Sequence, residues 1–285
     1  MTMRIFDPHI HMTSRTTDDY ERMAAAGVRA LVEPAFWLGQ PRTSVETFAD
    51  YFDGLVGWEP FRAGQFGIRH HAAIALNPKE ANDPRCVGVL DPLPRYLAKD
   101  GVVAVGEVGY DSMTPAEDEA FAAQLALAVE HELPALVHTP HRDKARGTER
   151  TLAVVKESGI DPGRVLIDHL NEVTVDLVQA SGCWMGFSIY PETKMSPPRM
   201  VEILRTRGTE RMLVNSAADW GRSDPLLTRA TADARLAAGF TEDDVDRVLW
   251  RNPVAFYGQS GRLELDAGAT TEATFEGNSI LRGGS

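Results

Sequence analysis

The stretch Met3-Arg4-Ile5-Phe6-Asp7-Pro8-His9-Ile10-His11 opens the chain on a short apolar run that gives way to three polar side chains at intervals of two. On a strand, whose side chains alternate between faces, Asp7, His9 and His11 would share one face. Two imidazoles that close together can ligate one ion, because zinc, manganese and similar cations are bound by neutral histidine nitrogen and by carboxylate oxygen. Taken alone, His-x-His is equally well two ordinary hydrogen-bonding histidines. The reading turns on whether later segments bring further ligands to the same place.

Downstream, one pattern repeats. Residues 18–27 read as a capped helix with a terminal glycine and 28–32 as a strand ending at Glu33-Pro34, which makes a first β-α-β unit. A long aromatic-rich helical region over 44–61, broken by Gly54 and Gly57, precedes a strand at 71–76. An irregular helix at 84–98 precedes the apolar strand 102–108, and a helix opened by Thr114-Pro115-Ala116-Glu117 precedes the strand 135–138. Further strands are predicted at 164–169, 184–189 and 211–216, with helices at 147–157, 173–179, 198–205, 224–238 and 242–251. Short strands each followed by a helix, within one domain length, are the α/β pattern of a (β/α)8 TIM barrel.

A doubly wound open sheet is the alternative, and the polar groups decide between the two. His9, His11, Glu107, His138, His169 and Asp219 all fall at or just past the C-terminal ends of strands. A closed barrel gathers those ends around one mouth, whereas an open sheet spreads them out side by side. We expect a single-domain barrel over residues 1–258. The tail, 259–285, is rich in Gly, Thr, Ala, Ser and Asp and is expected to be mobile or loosely attached.

With 285 residues, 43% apolar and 25% charged, the chain has the composition of an ordinary soluble globular protein with a sizeable core. A formal net charge of -12 disfavours a partner gripped through nucleic-acid phosphates; since bound metal ions can supply local positive charge, a nucleic-acid substrate stays open. Cys86 and Cys183 are too few for a disulfide scaffold and form no metal-type pair, which fits a reducing, cytoplasmic setting. Neither a signal peptide nor a membrane span is expected, because the chain has no long uninterrupted apolar stretch. The glycines show no nucleotide-binding spacing, and no Gly-x-Ser-x-Gly elbow proposes a covalent nucleophile.

Each of the six strand-end residues has an ordinary explanation when taken singly. Together they are four histidines and two carboxylates at one end of one barrel, enough for two metal ions sharing a bridging ligand. The order Asp7-x-His9-x-His11, then Gly106-Glu107-Val108-Gly109-Tyr110-Asp111, then the strand-ending His138 and His169, then Asp219, resembles the TatD-like metal-dependent hydrolases of the amidohydrolase superfamily. The resemblance covers about residues 4–258. It includes the helix 119–128 running into Leu133-Pro134-Ala135-Leu136-Val137-His138, and the segment Asn252-Pro253-Val254-Ala255-Phe256.

The resemblance implies that His9, His11 and Asp219 hold one ion, that His138 and His169 hold the other, and that Glu107 bridges them. Asp7 would be a supporting residue behind the histidines, and Asp219 would also take a proton from the attacking water. Superfamily branches related to phosphotriesterases usually bridge with a modified lysine, so Glu107 points to the TatD-like side. Two divalent ions are implied, zinc or manganese foremost and magnesium third. A divalent ion makes hydroxide accessible near neutral pH, and a neighbouring carboxylate can accept and return the proton, so the expected reaction is hydrolysis of an ester, phosphoester or amide.

Around this shell the chain departs from the nuclease-like members. They commonly carry an arginine two residues after the fifth-strand histidine, where this chain reads His138-Thr139-Pro140-His141-Arg142. Asn77-Pro78 stands in place of a His-Pro turn, and His169-Leu170-Asn171-Glu172 in place of His-Cys-Phe. Candidate substrate contacts are His71, Asn77, His141, Arg142, Tyr190 and Trp220. The expected substrate is a small, anionic or cyclic molecule. A TatD-type DNase or phosphodiesterase is the second reading, and a non-catalytic metabolite-handling protein that keeps the metal shell is the third. The oligomeric state is left open.

Overall fold

The chain's computed structural model describes residues 3–266. Its strands, β1 (Ile5–Asp7), β2 (Val28–Pro34), β3 (Arg69–Ile74), β4 (Val102–Gly109), β5 (Ala135–His138), β6 (Val165–Ile167), β7 (Trp184–Ser188) and β8 (Met212–Asn215), form one parallel sheet in which each pairs with its successor. Parallel strands need covered faces on both sides, and β4 illustrates this, since all eight of its residues are buried. The crossovers between strands are helical, so the molecule is the expected (β/α)8 barrel.

The seam between β8 and β1 closes just past the strand ends. The Ala217 N–H donates to the His9 carbonyl and the His11 N–H to the Ala218 carbonyl, both at 2.9 Å. The buried Asp7 carboxylate accepts the N–H groups of Ser216 (3.2 Å) and His9 (3.3 Å). Strand β1 therefore ends at Asp7, earlier than the alternating pattern suggested. His9 and His11 are placed by seam hydrogen bonds instead of by a continued ladder.

Two apolar layers hold the barrel. One lies between strands and helices; the other fills the interior with Phe6, Ala30, Val32, Val103, Leu136 and Leu213, completed by Phe256 and Tyr257 of the helix Asn252–Tyr257. The Tyr257 hydroxyl reaches the Pro8 carbonyl at 2.6 Å, so this last helix anchors the turn between Asp7 and His9.

One expectation is corrected. Gly54 and Gly57 do not break their helix: Val45–Asp53 passes through a π-helical turn, Gly54–Trp58, into Glu59–Gly64, and both glycines face open space where the widened turn meets nothing. The tail is fastened at its start. Leu263 and Leu265 pack on the interior cluster, the Glu264 N–H donates to His71 Nε2 at 3.2 Å, and the Arg69 guanidinium donates to the Asp266 carbonyl. The rest of the tail, 267–285, lies outside the described residues.

Candidate metal centre

Glu107 is the focus of the strand C-terminal ends. The β4–β5 pairing shifts register between Gly106 and Val108, so Glu107 sits at a bulge, its N–H turned to the Ala35 carbonyl at 3.2 Å. Bulges re-aim a side chain, and this one turns a carboxylate into the mouth. Glu107 Oε1 lies 3.2 Å from His9 Nε2, 3.3 Å from His138 Nδ1 and 3.3 Å from His169 Nε2, while Oε2 accepts from Asn77 Nδ2 at 3.0 Å. His9 Nε2 and His11 Nε2 approach to 3.1 Å.

Among the described residues these donors form two groups, His9 with His11 and Glu107, and His138 with His169 and Glu107. Within each group the ligand atoms lie within 4.8 Å of one another. A third group joins His9, His169 and Asp168. Asp219 belongs to none of them. Its Oδ1 accepts the Gly221 N–H at 2.7 Å and faces the Tyr190 hydroxyl at 3.2 Å, while its carbonyl accepts from Arg15 at 3.0 Å. The structure thus brings five of the six expected ligands together and sets Asp219 beside them.

Asp168, just before the strand-ending His169, was read only as part of its strand. Its Oδ2 lies 2.5 Å from His9 Nδ1, its Oδ1 accepts the His169 N–H at 2.6 Å, and Asn215 Nδ2 reaches both oxygens at 3.0 and 3.1 Å. A carboxylate on one ring nitrogen fixes the tautomer and aims the other nitrogen at the metal position. Ser188 Oγ does the same for His169, 2.6 Å from Nδ1. The legible signal for Asp168 is an acid directly before a strand-ending histidine. Ser188, in the next strand, carries no such mark.

Backbone conformation serves the same arrangement. His169 adopts a left-handed conformation (φ 62), uncommon without a glycine and held here by its N–H bond to Asp168. At Gly186 a Cβ would lie 2.4 Å from Asp168 Oδ1, so only glycine leaves room for that carboxylate.

Electrostatics at Glu107, His11 and His169 matches what a cation requires, whereas at His9 the charges of Glu107 and Asp168 outweigh burial and raise the ring above the ordinary histidine value. Burial pushes the Glu107 carboxyl up, but His9, His138 and His169 outweigh it and hold it well below the usual range. Burial holds His11 and His169 well below the ordinary histidine value, reinforced by His9 at His11 and by Lys194 at His169. Neutral imidazoles and an ionised carboxylate are the forms that bind a divalent ion. The His11 Nδ1 atom is buried without a hydrogen-bond partner. The donor set therefore fits metal ions.

The other candidates divide. Asn77 touches Glu107 directly and caps the following turn by accepting the Lys79 N–H. His141 lies by His138 and His169, with ring centroids 6.1 and 6.3 Å away, and Arg142 is exposed beside it. Tyr190 backs Asp219. Trp220, 56% exposed, meets Trp37 edge to face at 6.2 Å, and Phe36 stacks on His11 at 3.6 Å. His71 is the exception. It lies near the N-terminal end of β3, bound to the start of the tail and away from the mouth, because the strand begins at Arg69, two residues earlier than read.

A (β/α)8 barrel that crowds histidines around one strand-end carboxylate has the architecture of a metal-dependent hydrolase. The family model described as TatD related DNase matches residues 6–258, and the chain belongs to that family. It is 27% identical over 254 residues to an uncharacterised metal-dependent hydrolase of Methanocaldococcus jannaschii, covering 89% of this chain and 99% of that one. It is 33% identical over 148 residues to the uncharacterised metal-dependent hydrolase TatD of Mycobacterium tuberculosis, covering 48% and 52%. Among solved structures, the TatD-like protein of Archaeoglobus fulgidus superposes with a TM-score of 0.73 at 24% identity, covering 88% of this chain and 99% of that one. The phosphotriesterase homology protein of Escherichia coli, solved with phosphate in its active site, gives 0.65 at 18%, covering 90% and 99%.

Proposed function

We propose that this metal-dependent hydrolase binds two divalent ions, zinc or manganese foremost, and cleaves a small, anionic or cyclic ester, phosphoester or amide. The observation that carries the reading is the convergence of three imidazole nitrogens on Glu107 Oε1 at 3.2 to 3.3 Å. In this reading His9 and His11 would hold one ion, His138 and His169 the other, and Glu107 would be shared between them. Asp219, next to Ala218 whose carbonyl accepts the His11 N–H, would complete the first set.

Ions bound there acidify water and polarise a substrate oxygen. The residues supply the rest. Asp168 and Ser188 fix the tautomers of His9 and His169, and Asn77 holds the second oxygen of Glu107. Asp219 accepts the proton of the attacking water and returns it to the leaving group. The Gly221 N–H and Tyr190 hydroxyl orient one of its oxygens, leaving the other for that proton. Tyr190 stays protonated at neutral pH, since burial and Asp219 push its hydroxyl up to about 12. Phe36 and the Trp37–Trp220 pair wall the side of the mouth next to His11.

Metal analysis of the purified protein, with activity measured on a panel of phosphoesters, esters and lactones, tests this reading. Ions should be present or restore activity. His138→Ala and Asp219→Asn should each lower turnover by about a hundredfold or more, as loss of a catalytic proton acceptor or ligand does. Full turnover by metal-stripped protein would refute it. The DNase description of the family supports nuclease activity as a second reading. The net charge of -12 and the absence of the fifth-strand arginine weigh against it, and short single strands with magnesium or manganese are its assay.

A further inference from the structure

The loop after β7 carries a cation whose role the metal shell leaves unassigned. Lys194 is held there by its own N–H to the Tyr190 carbonyl at 2.8 Å, and Arg199 donates to its carbonyl at 2.6 Å. Its ammonium lies 5.4 Å from the centroid of the Tyr190 ring, the same Tyr190 whose hydroxyl faces Asp219. The charges of Glu107, Asp168 and Asp219 act on this ammonium, and it acts in turn on His9, His11, His141 and His169. Through Tyr190 the ammonium is tied to the side of the mouth that carries Asp219.

Of the other cations around the mouth, Arg142 is exposed to solvent and five are paired. Arg15 binds Asp19 and the Asp219 carbonyl, Lys144 donates to Thr139, Arg42 pairs with Glu80, Lys79 lies 3.7 Å from Asp111, and Arg222 lies 3.7 Å from Glu192. Lys194 has no carboxylate oxygen within 4.0 Å among the described residues. A half-buried ammonium without a counter-ion is costly, and two divalent ions beside it would leave the pocket with an excess of positive charge. What balances such a pocket is an anion brought by the substrate. A lysine is a compact charge on a flexible stem, suited to a single phosphate or carboxylate oxygen.

We propose that Lys194 anchors the substrate by binding an anionic oxygen, of a phosphate or carboxylate group, next to the metal centre. This rests on the hydrolase reading and narrows its substrate to molecules bearing such a group. Lys194 also divides the labour with Asp219: Tyr190, lying between them, keeps the anchor apart from the proton acceptor.

The test is calorimetric titration of the purified protein with inorganic phosphate and, separately, with malonate, comparing wild type, Lys194→Met and Lys194→Arg, with metal content and melting temperature measured on the same samples. Lys194→Met should weaken anion binding about tenfold or more, as loss of a charged hydrogen bond does, while Lys194→Arg weakens it less and metal content stays at the wild-type level. Tighter phosphate than malonate binding assigns a phosphoester, and the reverse a carboxylate. Unchanged anion affinity in Lys194→Met, no anion binding by the wild type, or loss of metal in Lys194→Met would each overturn the anchor. A wild-type protein without metal would instead count against the hydrolase reading, and the dependence of phosphate binding on Lys194 would still decide the anchor.

Discussion

Asp168 shows how much of the site depends on residues that touch no metal position. It holds His9 from behind, and Gly186 leaves it the space to do so. Gly186→Ala must displace the carboxylate by about an ångström or more, given that Cβ atoms are essentially never found so close. We expect Gly186→Ala and Asp168→Asn each to reduce metal affinity roughly 10- to 100-fold, the usual effect of losing such a supporting partner, with the fold retained by circular dichroism. Competition with a metal-sensitive dye checks it, and affinity unchanged in both would remove the supporting role. At this scale the sequence is legible at and just past strand ends: it names His9, His11, Glu107, His138 and His169, and the structure brings these five side chains together. Asp168 was hidden beside His169 and Lys194 in a loop, because position along a strand says nothing about which loop side chain turns inward.

Among the elements, the loop from β4 to the helix Pro115–Glu130 supports Glu107 from the outside. The buried Glu117 carboxylate accepts the N–H groups of Ser112 (3.0 Å) and Met113 (2.7 Å) and the side-chain amide of Asn82 (2.6 Å), while Thr114 caps the helix by accepting the Glu117 N–H. Glu117→Gln replaces one accepting oxygen by a donor and should cost about 1–3 kcal/mol, whereas Thr114→Ala should cost about 1 kcal/mol. Urea denaturation with the metal content held fixed measures both, and a Glu117→Gln value below that of Thr114→Ala would contradict this ordering. Element existence and order were readable from strand and helix patterns. The π-helical turn at Gly54–Trp58 and the bulge at Glu107 were not: the bulge depends on the register of β5, distant in sequence, and the turn lies where nothing packs against its two glycines.

For the whole molecule, stability should follow both acid and metal. Burial, then His70, holds the His71 ring down at about 4, against 6.5 for the free side chain. It is neutral in both the folded and unfolded chains above 6.5. As pH falls from 6.5 to 4 the unfolded chain takes up the proton first, so stability is lost over that window, by on the order of 3 kcal/mol at most. His71→Gln should flatten this part of the pH–stability curve relative to wild type, and an unchanged slope would show that His71 does not contribute it. Metal acts in the opposite sense. Ions that bind only the folded chain add about 2.7 kcal/mol at a hundred times the dissociation constant, so zinc or manganese should raise the melting temperature of wild type and raise that of His138→Ala much less.

The seam described above joins Asp7 to Ser216, 209 positions apart, and the same few hydrogen bonds that close the barrel set His9 and His11 against Glu107. His9 and His11 thus find their place only when the last strand, β8, arrives. If the proposed ions bind here, their retention would report finished folding. A chain released from the ribosome before β8 emerges would carry His9, His11, Glu107, His138 and His169 and still lack the template that orders the first two.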